Sequence, residues 1–179
     1  MKYQILIVFI LGLILQSCAF YGLTNDYSKL DIEQQKIIEK FDLSEEVKTN
    51  HIYEISATQL KEELKNHKKS IVYLFANGCS SKYCLPLNVY VNYAKDNGYY
   101  LFLVMNGYGN LSQTLSQKIS LPLYAIDAQA YDTKWNNKYV KRFENQLQGL
   151  PQDSKQQYKG SIYFFEEDSL VSIKRGLPN

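Results

Sequence analysis

Arginine and histidine are scarce in this chain of 179 residues. Arg142 and Arg175 are the only arginines among its 20 basic residues, and 18 acidic residues bring the formal net charge to +2. Nucleic-acid-binding domains carry a basic surface rich in arginine and lysine, so the composition argues against a nucleic-acid partner. Two histidines and three cysteines leave few metal ligands, and we predict neither a metal nor a cofactor.

The chain also lacks an apolar run long enough to cross a membrane. The run at 5–15 has eleven residues, whereas a transmembrane helix needs about 20. Lys2 precedes this run, which ends in Leu15-Gln16-Ser17-Cys18. A positive residue, a short apolar run and a leucine three residues before a cysteine together resemble the signal of bacterial lipoproteins.

This resemblance implies that a peptidase removes residues 1–17 as a lipoprotein signal peptide. The thiol of Cys18 would then carry a diacylglycerol and its new amino group an acyl chain such as palmitate. Several acyl chains make a firm anchor, because each buried methylene contributes about 0.8 kcal/mol. Residues 19–21 contain no aspartate, the residue that retains enterobacterial lipoproteins in the inner membrane. We expect a protein of the bacterial cell envelope, anchored by lipid, with the outer membrane as its destination.

Two alternatives to the lipoprotein signal stay open. One is an ordinary cleaved signal followed by an incidental cysteine, and the other is an uncleaved signal anchor. In either case, the segment at 1–17 is set apart from the fold.

The rest of the chain divides into a tether with a short helix at 18–49 and a domain at 50–179. In the first segment, Asp31 is a candidate cap for a helix over 31–41. In the second, apolar runs alternate with segments of helical periodicity. They predict strands at 51–56, 70–75, 99–105, 121–126, 161–165 and 170–173, and helices at 58–66, 85–96, 110–119 and 135–147. This order predicts an α/β domain with a mixed sheet flanked by helices and a closing β-hairpin.

Two cysteines remain in the domain, Cys79 and Cys84, directly after the strand at 70–75 and before a helix. Two close cysteines in an exported protein predict a disulfide. An apolar strand leading into Ala76-Asn77-Gly78-Cys79, with a hairpin at 161–173, resembles the thioredoxin-like domains of the TlpA type over residues 50–177. The resemblance implies that Cys79 is the nucleophile and Cys84 the resolving cysteine. The position of Cys79 before a helix N-terminus favours the thiolate form of its side chain. Lys82 is close in sequence and would favour the thiolate further.

The motif departs from the family at three points. The spacing is C-x-x-x-x-C instead of C-x-x-C, Gly78 stands where the family has tryptophan, and no proline lies near Gly160, where the family has a cis-proline. Cysteines five residues apart point about 140° from each other on a regular helix. Pro86 suits a helix start, which would leave both cysteines in a loop that is free to form the disulfide.

We therefore predict a non-catalytic binding or assembly domain with a local disulfide. The alternative is a thiol–disulfide oxidoreductase that uses Cys79 and Cys84 on thiols or disulfides of envelope proteins. Three other features carry weaker predictions. Asp127 could be a site carboxylate after a strand, His51 and His67 could be metal ligands or solvated side chains, and the tyrosines between 73 and 100 could form a binding face or the rim of the core.

Overall fold

The computed structural model describes residues 22–79, 84–155 and 159–178, and within them seven strands form one sheet. The strands are β1 (Ile38–Lys40), β2 (Ile52–Ile55), β3 (Lys69–Phe75), β4 (Tyr100–Met105), β5 (Leu123–Ile126), β6 (Ile162–Glu166) and β7 (Ser169–Lys174). The helices are α1 (Ile32–Lys36), α2 (Ala57–Leu64), α3 (Leu87–Asp96), α4 (Leu111–Leu115) and α5 (Asn136–Leu147), with 3-10 turns at Tyr27–Lys29 and Ala128–Tyr131.

The strand order is β1-β2-β5-β4-β3-β6-β7. The first five strands in this order are parallel, and β6 and β7 form an antiparallel hairpin against β3. The predicted α/β class, mixed sheet and closing hairpin are confirmed, and the architecture is consistent with a thioredoxin-like fold. Because β1 to β5 are parallel, the residues that follow them meet at one side of the sheet, which we call the carboxyl-terminal edge.

Each face of the sheet is covered by two helices. Successive side chains of a strand point to opposite faces, so Val72 and Leu74 pack against α2 and α5, while Ile71, Tyr73 and Phe75 pack against α3 and α4. The central strands β3 and β4 are buried on both faces, which explains their nearly continuous apolar sequences. The fold is therefore a three-layer arrangement with a hydrophobic core on either side of the sheet.

The first helix is shorter than its sequence pattern predicts. Asp31 caps α1 as expected, since its side chain accepts from the backbone N–H of Gln34 at 2.8 Å, but the helix ends at Lys36. The prediction of helix through residue 41 is wrong, because Ile38–Lys40 pair in parallel with β2. Another boundary also differs: the helix predicted at 58–66 is Ala57–Leu64, with Ser56 as its cap.

Residues 22–30 lie across the carboxyl-terminal edge. The carbonyl of Leu23 accepts from the backbone N–H of Asn136 at 2.9 Å, and that of Asn25 accepts from Tyr108 at 2.7 Å. Asp26 is buried and pairs with Lys29 at 2.8 Å. The predicted signal peptide and Cys18 lie outside the described residues.

Candidate functional site at the disulfide

Cys79 and Cys84 form a disulfide at the carboxyl-terminal edge, with their Cα atoms 6.0 Å apart. Cys79 ends the turn that follows β3, and α3 begins at Leu87 with Pro86 as its N-cap. Both cysteines are thus outside the helix. The predicted local disulfide is confirmed. Lys82, which was expected to favour a Cys79 thiolate, lies outside the described residues.

The side chain of Asn77 holds the turn before Cys79 in place. Asn77 Nδ2 donates to the carbonyl of Gly107 at 2.8 Å, and its Oδ1 accepts from the buried hydroxyl of Thr114 at 2.6 Å. Gly78 has a φ of +68°, and a Cβ there would lie 2.8 Å from the Cβ of Asn110. The turn is therefore fixed against the loop after β4 and against α4.

The two sulfur-bearing residues differ in accessibility. Cys79 is exposed and Cys84 is partly buried. The first backbone donor of α3, the N–H of Leu87, is occupied by Gln117 Oε1 at 2.8 Å. One of the helix N-terminal donors expected to stabilise a thiolate is thus directed to a glutamine side chain.

A cleft of about 510 Å³ opens beside the disulfide. Its walls include Tyr73, Phe75 and Tyr90, and the Tyr73 and Tyr90 rings stack with centroids 3.8 Å apart. Burial, together with the Tyr90 hydroxyl, raises the pKa of Tyr73 well above its ordinary value, so its phenol stays neutral. Arg175 lies at the rim, where its Nε donates to the carbonyl of Lys159 at 3.3 Å. Among the described lining residues, the cleft combines aromatic walls with one cationic group.

The segment facing the disulfide also differs from the family pattern. The described residues contain no cis peptide bond, and a Cβ on Gly160 would lie 2.5 Å from the carbonyl oxygen of Lys174. The neighbouring Ser161 donates its N–H to Lys174 and accepts from the N–H of Leu74. Because both backbone groups of Ser161 are used within the sheet, a partner strand cannot pair with them.

Asp127 lies in a separate charged cluster at the ends of β1, β2 and β5. Lys40 Nζ is 2.9 Å from Asp127 and 2.8 Å from Glu54, which also accepts from the Tyr108 hydroxyl at 3.0 Å. Burial lowers the pKa of Lys40, but hydrogen bonds and attraction to the two carboxylates outweigh it, and its pKa is raised. Sequence reasoning missed Lys40 and Glu54, because the strand carrying Lys40 was predicted as helix.

The two histidines do not line the cleft. His51 contacts Glu39 at 3.5 Å, whereas His67 contacts Glu63 at 3.2 Å and stacks on Tyr100. In the ranges described, no three His, Cys, Asp or Glu side chains come together as a metal site. Of the tyrosines proposed as a binding face, Tyr73 and Tyr90 are buried.

Comparisons with protein-family models, with curated proteins and with solved structures find no match to this chain. None of the helices in the described part is long and apolar enough to cross a membrane.

Proposed function

We propose that the protein is a bacterial envelope lipoprotein, anchored through Cys18, with a thioredoxin-like domain that binds a partner without catalysis. The anchor rests on the sequence Leu15-Gln16-Ser17-Cys18. The observation that carries the binding function is the cleft beside the Cys79–Cys84 disulfide, with aromatic walls and Arg175 at its rim. Aromatic walls favour an apolar side chain, and a guanidinium favours a carboxylate. The occupant is a partner segment that presents an apolar side chain next to an acidic group.

Two features favour binding over redox catalysis. Besides the cysteines, the ionisable side chains among the described lining residues are Tyr73, Tyr90 and Arg175, so they include no carboxylate or imidazole to transfer a proton. The N–H of Leu87 is directed to Gln117. The Cys79–Cys84 disulfide closes a six-residue loop, which contributes about 2 kcal/mol to the free energy of unfolding. The disulfide then serves as a brace for one wall of the cleft.

Site-specific photo-crosslinking tests this proposal in the full-length protein. We expect a photoreactive phenylalanine derivative at Leu85, which is 42% exposed on the rim, to give a discrete adduct in the bacterial envelope. The same derivative at Val171, 59% exposed on β7, serves as the matched control and is expected to give none. The substitution Arg175→Glu should abolish the Leu85 adduct, because it places a negative charge where the partner's carboxylate binds. Equal labelling from both positions, or an adduct that Arg175→Glu does not reduce, would contradict the proposal that the partner binds in the cleft.

A specific observation supports thiol–disulfide exchange as a second candidate function. Cys79 is exposed while Cys84 is partly buried, which is the arrangement that exchange requires. In the reduced protein, the Cys79 thiolate would attack a partner disulfide and release one partner thiolate. Cys84 would then displace the second partner thiolate from the mixed disulfide and re-form the Cys79–Cys84 bond.

The reduction potential of the Cys79–Cys84 pair separates the two candidates. We expect a value below about −300 mV, as in structural disulfides, because a brace has no need to be readily reduced. Thiol trapping in redox buffers of graded potential measures it on the purified protein. A value between about −270 and −120 mV, the span of known exchange catalysts, would favour the oxidoreductase and call for a Cys79→Ser activity test.

A further inference from the structure

The amino-terminal segment brings the carboxyl-terminal edge close to the anchor. Gly22 and Asp26 border a small cavity together with Ala76 and Asn77, which belong to the turn before Cys79. Cys18 is four residues before Gly22, and four residues span at most about 14 Å when fully extended. If Cys18 carries the lipid, as proposed above, the carboxyl-terminal edge cannot be far from the bilayer surface.

Exposed apolar side chains lie on this same edge. Leu23 is 57% exposed, Trp135 44% and Tyr27 36%, and we call these three residues the membrane-facing patch. Leu23 and Trp135 are neighbours, because the carbonyl of Leu23 accepts from the backbone N–H of Asn136. Tyr27 packs edge-on against Tyr108, which follows β4. Tryptophan and tyrosine prefer the interface between lipid and water.

Charged side chains lie at both edges of the sheet. Lys134 places its Nζ 5.5 Å from the centre of the Trp135 ring, next to the patch and available to lipid phosphates. The opposite edge, where the β6–β7 turn meets the start of β3, carries Lys68, Lys69, Glu166 and Glu167, all exposed. The edge farthest from the anchor therefore carries this charged group, whereas the edge nearest it carries the three exposed apolar side chains beside the Lys40–Glu54–Asp127 cluster.

We infer that the membrane-facing patch rests in the lipid surface to which Cys18 is anchored. The inference rests on the proposed anchor and adds an orientation. The disulfide cleft lies on the same edge as the patch, so it faces the bilayer. Its partner is then a segment held close to the membrane.

Trp135 provides the test, because it is the only tryptophan in the chain. The full-length lipidated protein is reconstituted in phosphatidylcholine vesicles with and without brominated acyl chains, which quench tryptophan emission on contact. We expect a blue shift on reconstitution and loss of most of the emission in brominated vesicles.

The matched control moves the single tryptophan to the other edge. Tyr100, also 36% exposed, begins β4 at the charged end, and the double variant Trp135→Phe, Tyr100→Trp should retain its emission in brominated vesicles. Quenching of both proteins to the same extent would overturn the proposed orientation.

Flotation and N-terminal mass test the anchor separately. If the protein floats with the vesicles and its Trp135 is not quenched, the anchor stands and the membrane-facing patch is refuted. If the protein neither floats nor carries acyl mass on Cys18, the anchor is refuted, and the orientation that rests on it is refuted too.

Discussion

Raising the pH to about 11 is expected to unfold the domain in one cooperative transition, because its buried tyrosines cannot ionise while it is folded. Six tyrosines combine an exposure of at most 6% with a pKa that burial raises well above its ordinary value. They are Tyr73, Tyr108, Tyr124, Tyr131, Tyr139 and Tyr163. A hydrogen bond reinforces the neutral form of Tyr108, whose hydroxyl donates to Glu54 at 3.0 Å.

The sign of the effect follows from proton binding. In the unfolded chain each phenol loses its proton near pH 10, while the folded protein keeps it. The unfolded state therefore binds fewer protons, and the free energy of unfolding falls by about 1.4 kcal/mol per tyrosine for each pH unit above about 10. At about pH 11 the six tyrosines together remove about 8 kcal/mol, which is comparable to the whole stability of a typical domain. Below about pH 9 the six phenols contribute no pH dependence.

Tyrosinate absorbance and near-ultraviolet circular dichroism, recorded against pH, measure this transition. The loss of tertiary signal and the ionisation of the buried tyrosines should coincide. The variant Tyr163→Phe removes one of the six phenols, so the stability lost between pH 7 and about pH 11 should shrink by about 1.4 kcal/mol. Gradual ionisation with intact tertiary structure would mean that these phenols are accessible in the folded state.

The sequence allowed the central sheet to be predicted, because its signal is local. Strands β3 and β4 are buried on both faces, and this burial appears directly as apolar runs at 70–75 and 99–105. The hairpin of β6 and β7 was also predictable, since polar residues separate two short apolar segments. Pro86 marked the start of α3 closely enough to place both cysteines outside the helix.

Structural features that depend on contacts between residues distant in sequence could not be predicted. The segment at 37–41 has helical spacing, yet Ile38–Lys40 form a strand because an edge of the sheet is available beside β2. Lys40 meets Asp127 only because β1 and β5 both flank β2. The cleft likewise depends on Ser161 and Arg175, which are far from Cys79 in sequence. None of these contacts leaves a periodic pattern that sequence reasoning can detect.

Replacing Gly78 by alanine is expected to lower the free energy of unfolding by about 3 kcal/mol, from two separable causes. The first is the φ of +68°, which costs an L-residue about 1 kcal/mol. The second is crowding, because the new Cβ would lie 2.7 Å from Gln113 Oε1, 2.8 Å from Asn110 Cβ and 2.9 Å from Asn110 Nδ2. Overpacking of this kind costs about 1–3 kcal/mol.

Gly98 offers the matched control for the backbone cause. Its φ is +69°, and a Cβ there would meet nothing within 4 Å. Gly98→Ala should therefore cost only about 1 kcal/mol, and the difference between the two variants measures the crowding at Gly78. Denaturant unfolding of both variants beside the natural protein provides the values. Equal losses in the free energy of unfolding would show that the turn before Cys79 accommodates the added Cβ at no further cost.

Asn110→Gly should rescue the Gly78→Ala variant, which turns the comparison into a double-mutant cycle. The substitution removes two of the three crowding atoms, and glycine suits Asn110 because its own φ is 57°. The remaining neighbour, Gln113 Oε1, ends a flexible side chain that can move aside. A recovery of most of the crowding loss would locate the strain between the Cys79 turn and the start of α4. It would also show that position 78 has no room for a large side chain, such as the tryptophan that the thioredoxin-like domains carry before the first cysteine.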